Sequence, residues 1–254
     1  MGNKALIIGG SSGIGLATLK KLASHQFDIV VVHRDRRQDA AILIEETEKL
    51  SVEYRVKIEN FNVDATNNEK VDSILTQLEQ GDSFKIVVHA VSRGNLKPFV
   101  SDEAKLSPED LALTIDAMGI NFNTWVSKLL EKKLVGEGSR IIALTSEGNK
   151  KFWKGYGAVA SAKATLENIA NYLAVELATK GMTVNTIQAG VTDTRSLRLI
   201  PGSEDLIKET ERRNPFGRMT TPEDVANFIY LLSLPEASWI NGTLIHVDGG
   251  ENLI

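Results

Sequence analysis

The chain of 254 residues contains no cysteine. That absence excludes disulfides, thiolate metal sites and cysteine nucleophiles together. Its four histidines are scattered, with no pair at helical metal-ligand spacing, so no metal site is expected. Positive charge is not in excess. There are 29 Lys and Arg against 33 Asp and Glu, a net charge of −4, which argues against a dedicated nucleic-acid binder. Long apolar runs are missing too. The first, Ala5 to Ile8, is interrupted by Gly9, too short for a signal peptide or a membrane span. The expectation is a cytoplasmic enzyme with neither a membrane nor a nucleic acid as partner.

With 42% hydrophobic and 24% charged residues, the chain has the composition of an ordinary globular protein with a full core. Short apolar runs alternate with helical patterns along its length. Strands are expected at Ala5–Ile8, Ile29–Val32, Tyr54–Phe61, Lys85–His89, Ile141–Leu144, Met182–Ile187 and Thr243–Val247. Helices are expected at about Ile14–Ala23, Ala40–Leu50, Val71–Leu78 and Pro108–Leu134, on the segment carrying Lys163, and at Pro222–Leu232. The last of these opens with Thr221 as N-cap and Pro at the first helical position. There is no linker, repeat or low-complexity tract. This alternation implies one α/β domain over residues 1–254, doubly wound, with a seven-stranded, mainly parallel sheet.

The first strand runs into Gly9-Gly10-Ser11-Ser12-Gly13-Ile14-Gly15 and then a helix. Strand, glycine loop and helix is the context of a dinucleotide pyrophosphate site. Glycines let the backbone approach the phosphates, and the helix N-terminus offers free N–H groups and a positive dipole end. The second strand ends at His33-Arg34-Asp35-Arg36-Arg37. An acidic residue there would favour the ribose 2′-hydroxyl of NAD, and an arginine the 2′-phosphate of NADP. Arg34 is the best candidate, with Arg36 and Arg37 as helpers; a solvated basic loop is the alternative. Asp64 closes the third strand and could accept from an adenine amino group, or cap the next helix in competition with Thr66. His89 has no acidic partner near in sequence and reads as structural.

One further stretch points to chemistry: Tyr156-Gly157-Ala158-Val159-Ala160-Ser161-Ala162-Lys163. A phenol can give a hydrogen bond or a proton to an oxygen that gains charge as hydride arrives. Seven residues is nearly two helical turns, which brings both side chains to one face. A neighbouring ammonium there would lower the phenol pKa.

Taken together, the sequence resembles the short-chain dehydrogenase/reductases along nearly its whole length. The resemblance rests on the Gly9–Gly15 loop, Asp64, the Tyr/Lys helix, Asn185 with Gly190 and Thr194, Pro222-Glu223-Asp224-Val225-Ala226, and Val247-Asp248-Gly249-Gly250. Two departures narrow it. Val159 stands where most members of that superfamily have the tyrosine, and His89-Ala90-Val91-Ser92 replaces the usual Asn-Asn-Ala-Gly. Ala189 also stands for the usual proline. These features are similar to the enoyl-acyl-carrier-protein reductase branch. Asn171–Leu177, Thr192-Asp193-Thr194 and Asn214–Met219 look most like its NADPH-dependent bacterial type. Ser146 stands where common enoyl reductases have a second tyrosine and where carbonyl reducers end the strand with their serine.

The resemblance implies a Rossmann fold and a homotetramer. It implies NADPH, with NADH possible, on Gly9, Ser11, Ser12, Gly13, Ile14 and Gly15, with Arg34 at the 2′-phosphate and Asp64 with Ala65 around adenine. Ala90, Val91 and Ser92 would leave room for the adenosine side, and Val191 with Thr194 would hold the carboxamide. The implied substrate is an enoyl thioester of acyl-carrier protein or CoA. Tyr156 would stabilise its enolate and Lys163 would hold the nicotinamide ribose. Ser146 either assists or is bonded to backbone. Residues 195–215 would form a lid, with Leu197, Leu199, Ile200, Leu206 and Ile207 along the acyl chain. Arg195, Arg198, Lys208, Arg212 and Arg213 would meet an acidic carrier or be solvated. A carbonyl reductase and a cofactor-binding protein without chemistry are the rival readings.

Overall fold

The structure, a computed structural model, describes residues 2–79 and 81–254. Its first half runs β1 (Lys4–Ile8), α1 (Gly13–Ser24), β2 (Asp28–His33), α2 (Arg37–Tyr54), β3 (Ile58–Asn62), α3 (Asn68–Leu78) and β4 (Ile86–His89). Next come α4 (Pro108–Ile115), a π-helical turn (Asp116–Ile120), α5 (Asn121–Glu131), β5 (Arg140–Ser146) and α6 (Gly157–Ala178). The chain closes with β6 (Thr183–Ala189), α7 (Arg195–Arg198), α8 (Ser203–Arg213), α9 (Pro222–Leu232) and β7 (Leu244–Val247). The strands form one seven-stranded sheet in the order β3-β2-β1-β4-β5-β6-β7. Every paired neighbour is parallel. The expected α/β doubly wound sheet is therefore the observed one.

Strand alternation builds the two core layers. Leu6, Ile8, Val30 and Val32 face one side and pack with Ile74 and Leu75 of α3, Phe122 and Trp125 of α5, and Leu166 and Leu173 of α6. Ala5, Ile7, Ile29 and Val31 face the other, with Leu19 and Leu22 of α1 and Val225 and Ile229 of α9. Because both faces are covered, the strands read as continuous apolar runs. Strand order reverses between β1 and β4, so the loops after them part and leave a crevice at the C-terminal edge.

Four local expectations change. Tyr54 ends α2 instead of starting a strand, because Arg55 takes a left-handed conformation (φ 55°) and its N–H closes on the Ser51 carbonyl. The long helix expected from Pro108 to Leu134 is broken by the π turn and ends at Glu131. At that turn Gly119 lies against α6, where a Cβ would meet Thr165 at 3.0 Å. The N-cap of α3 is Asn67, whose side chain accepts from Lys70 N, so neither Asp64 nor Thr66 caps it. Two helices, α7 and α8, form within residues 195–215, where none was among the expected helices. The Thr221 cap is as expected: a capping box with Asp224, with Pro222 behind it. No helix among the described residues is long and apolar enough to cross a membrane.

Candidate active site

A cleft of about 830 Å³ runs along the C-terminal ends of the strands. It takes in Gly9, Ser11–Gly15, Arg34, Asp64, Ala65, Ala90–Ser92, Ser146, Tyr156, Lys163, Val191 and Thr194. Residues as far apart in sequence as Gly9 and Leu206 thus line one space. All the residues singled out for cofactor or chemistry are brought together there, except that Arg37 and Ile207 do not line it.

At one end the backbone makes a close-fitting cradle. Gly9 has φ +92° and lies so near the loop after β4 that a Cβ would sit 2.8 Å from the Ala90 carbonyl oxygen. A Cβ on Gly15 would overlap the Gly9 carbonyl. Ser12, at the N-cap of α1, makes no side-chain cap bond. The first N–H groups of α1 therefore stay open to an anionic ligand, with the helix dipole behind them. A pyrophosphate fits this cradle, which no side chain larger than hydrogen would leave intact.

Beyond β2, Arg34 Nη1 donates to Asp64 Oδ2 at 2.8 Å, and Arg93 Nη1 donates to the same oxygen at 2.9 Å. Thr66 donates to the other oxygen through its N–H and its hydroxyl. Burial works against the Asp64 charge, but the bonds from Thr66 and Arg34 and the charge of Arg93 bring its pKa to about 2. Asp64 is thus committed to two arginines at the wall of the cleft. Asp35 also lines the cleft, and it accepts from His33 Nδ1 at 2.7 Å. Arg34 and Asp35 thus stand side by side at the end of β2. Arg93 was not distinguished in the sequence; it sits 29 residues from Asp64 and only the fold pairs them.

At the other end, Tyr156 precedes α6 as its N-cap residue and does not lie on the helix. Its hydroxyl donates to Ser146 Oγ at 3.2 Å. Ser146 Oγ also accepts from Gly148 N at 3.3 Å. With two donors on its oxygen, Ser146 keeps its own proton for a third partner. Gly148 is needed here, since a Cβ would run into the Tyr156 ring. Burial raises the Tyr156 pKa, the Ser146 bond opposes it, and the Glu147 charge adds to the rise. The expected lowering by an ammonium is not what this arrangement gives; desolvation dominates.

Lys163 is 6% exposed. Its Nζ donates to the carbonyls of Leu144 at 2.8 Å and Val91 at 3.3 Å. Burial lowers its pKa to about 8, with Glu167 opposing. His89 is fully buried and its Nε2 donates to Asn121 Oδ1 at 3.1 Å. Burial brings its pKa to about 4, so it is a neutral structural residue at pH 7. Asn121 in turn donates to the Ala65 carbonyl. It ties β4 to the turn after β3, a role the helical register alone did not reveal.

Over the mouth, Leu197, Leu199, Ile200 and Leu206 line the cleft as expected, joined by Leu96, Trp153 and Val159. Trp153 Nε1 donates to Pro201 O at 3.1 Å and so fastens the segment after β5 to the covering helices. Thr194 caps α7 and rests on Gly13. Two of the lid arginines differ in how they are held. Arg198 is held by Asp193 in a two-bond pair. Arg213 is turned inward between Glu147 and Glu251.

Comparison with known proteins agrees with this geometry. Residues 9–252 match the family model described as enoyl-(acyl carrier protein) reductase. The chain is 29% identical to a chloroplastic NADPH-dependent aldehyde reductase-like protein of Arabidopsis thaliana, covering 98% of this chain and 94% of that one. It is also 29% identical to a 3-oxoacyl-[acyl-carrier-protein] reductase of Aggregatibacter actinomycetemcomitans, covering 98% and 99%. The crystal structure of an NADH-dependent enoyl-[acyl-carrier-protein] reductase from Aquifex aeolicus superposes with a TM-score of 0.86 at 25% identity, over 100% and 97% of the two chains.

Proposed function

The chain belongs to the enoyl-(acyl carrier protein) reductase family of short-chain dehydrogenases/reductases and is an NAD(P)H-dependent oxidoreductase; from that premise we propose that it reduces the trans-2 double bond of enoyl thioesters, with NADPH as the donor. The observation that carries this reading is the Tyr156 hydroxyl, seven residues ahead of Lys163, directed with Ser146 into the same cleft as the glycine cradle.

NADPH fits the residues present. The pyrophosphate belongs on the Gly9–Gly15 loop, the 2′-phosphate beside Arg34, and the carboxamide near Val191 and Thr194. When bound, the reduced nicotinamide supplies a hydride to the β-carbon of the substrate. Tyr156 then donates to the thioester oxygen, which gains negative charge as an enolate, and the α-carbon takes a proton from Tyr156 or from water to give the saturated thioester; a donor placed on such an oxygen contributes several kcal/mol. Ser146, already accepting from Tyr156 and Gly148, turns its proton to the same oxygen. Lys163 leaves the carbonyls of Leu144 and Val91 for the ribose hydroxyls and puts a positive charge near the phenol. Leu197, Ile200 and Leu206 cover the acyl chain and exclude water.

NADPH is favoured over NADH because Arg34 and Arg93 bring two guanidinium groups to this end of the cleft, while Asp35, which also lines it, is already engaged by His33. A ketone substrate has one observation in its favour: a serine hydroxyl beside the tyrosine also suits reduction of a 3-oxoacyl thioester. Purified protein offered NADPH with crotonyl and acetoacetyl thioesters separates the two. Loss of reduced-cofactor absorbance with crotonyl thioester supports the enoyl reading. Loss with acetoacetyl thioester alone overturns it.

A further inference from the structure

Three charged side chains from three distant parts of the chain meet next to the end of β5 that carries Ser146. Arg213, the last residue of α8, bonds both Glu147, just past β5, and Glu251, in the turn after β7. All three are withdrawn from water; the Glu251 side chain is 1% exposed and that of Arg213 is 12% exposed. Burial opposes the Arg213 charge, but the two carboxylates outweigh it and raise its pKa. Burial likewise raises Glu251 against the pull of Arg213. The second oxygen of Glu251 accepts from Val191 N at 3.1 Å. The cluster therefore joins the covering helix α8, the residue next to Ser146, and the turn after β6 where the carboxamide belongs.

A buried ion cluster is weak evidence for stability, because removing charges from water costs about as much as their attraction returns. Its position says more. The charged groups that share the cleft with Tyr156 on its side are Glu147 and Lys151 after β5 and Lys163 on α6, with Arg93 and Arg195 also lining it, while Arg213 on α8 and Glu251 past β7 reach it through Glu147 and the Val191 turn. Of these, Glu147 is the one whose negative charge opposes ionisation of the phenol.

We infer that Arg213 is a positioning residue for the reaction proposed above: seated between Glu147 and Glu251, it neutralises the carboxylate next in sequence to Ser146 and pins the Val191 turn, so that the phenol is set for oxyanion stabilisation only when α8 is docked. The inference rests on the proposed role of Tyr156 and has a readout that needs no turnover.

The readout is the ionisation of Tyr156, taken as the ultraviolet difference titration of each protein minus its own Tyr156→Phe version. Wild type, Arg213→Met, Glu147→Gln and the double variant Glu147→Gln/Arg213→Met are compared, with circular dichroism as a check on folding. Arg213→Met is expected to raise the Tyr156 titration by about one pH unit, and Glu147→Gln to lower it. The double variant is expected to return to near the wild-type value. With whichever thioester the wild type reduces, kcat at neutral pH is expected to fall roughly tenfold in Arg213→Met and to recover in the double variant. An unchanged Tyr156 titration in Glu147→Gln overturns the inference even if Arg213→Met fails to fold. So does a folded Arg213→Met with unchanged titration. Absence of crotonyl reduction by wild type sinks the enoyl reading and leaves the titration result standing by itself.

Discussion

The Tyr156 hydroxyl rests on Ser146 Oγ at 3.2 Å, across a stretch of ten residues that includes the glycine needed to admit its ring. Ser146 ends β5 and Tyr156 precedes α6, so the pair joins the rigid sheet edge to the start of the helix that bears Lys163. Replacing Tyr156 with Phe removes the donor and leaves the cradle intact. Turnover of enoyl thioester is expected to fall by roughly 10² to 10³, the cost of losing one such donor. Cofactor affinity, measured by quenching of protein fluorescence, is expected to stay within about twofold of wild type, since the ring's packing survives. Ser146→Ala is expected to cost less on an enoyl substrate than Tyr156→Phe. Equal costs would mean that the serine, not the phenol, meets the developing charge.

Arg34 gives the second expectation. Its only observed bond is to a carboxylate it shares with Arg93, and its side chain is more than half exposed. Arg34→Ala is expected to weaken NADPH by roughly tenfold, about the lower value of a hydrogen bond to a charged group, and to leave NADH almost unchanged. Titration of both cofactors against both proteins checks it. Equal weakening would place the 2′-phosphate elsewhere.

Lys163 is buried in a place that disfavours its charge. Its pKa falls to about 8 from the model-peptide value of 10.5. The unfolded chain therefore holds this proton more tightly, and stability rises with pH between about 8 and 10.5. Below pH 8 the folded, cofactor-free protein bears the full cost of a buried ammonium. Lys163→Met is expected to raise stability at neutral pH by about 1–3 kcal/mol in urea unfolding, while abolishing turnover. It is also expected to remove the alkaline gain.

His89 predicts the acid side with the same sign. Burial brings it from 6.5 to about 4. Its contribution is intact above pH 6.5 and is lost as pH falls through about 4, by roughly 3 kcal/mol when complete. His89→Gln, which can still face Asn121, is expected to flatten stability over that window. A slope that persists unchanged would assign acid sensitivity to other groups.

How far the sequence reaches is clear from particular residues. The Gly9–Gly15 loop is legible because strand, glycines and helix are contiguous. Thr221 is legible because a capping box is a local pattern. The parallel sheet follows from apolar runs separated by helices long enough for crossovers. Asn121 was missed because the π turn before it shifts its face by an amount no regular period anticipates. Arg213 read as a surface cation because its partners lie 66 and 38 residues away. The sign of the Tyr156 shift was missed for a related reason: burial at the helix start outweighs an ammonium known only by its spacing.

Tyr156 stands one residue outside α6, on a turn where Gly155 takes φ +76° against the Leu96 carbonyl. The reactive hydroxyl therefore inherits the firmness of a short irregular segment, held by the sheet edge on one side and by Trp153 on the other. Warmth or mild denaturant that frees this corner is therefore expected to end turnover while the strands remain paired, so that on heating activity is lost before circular dichroism changes.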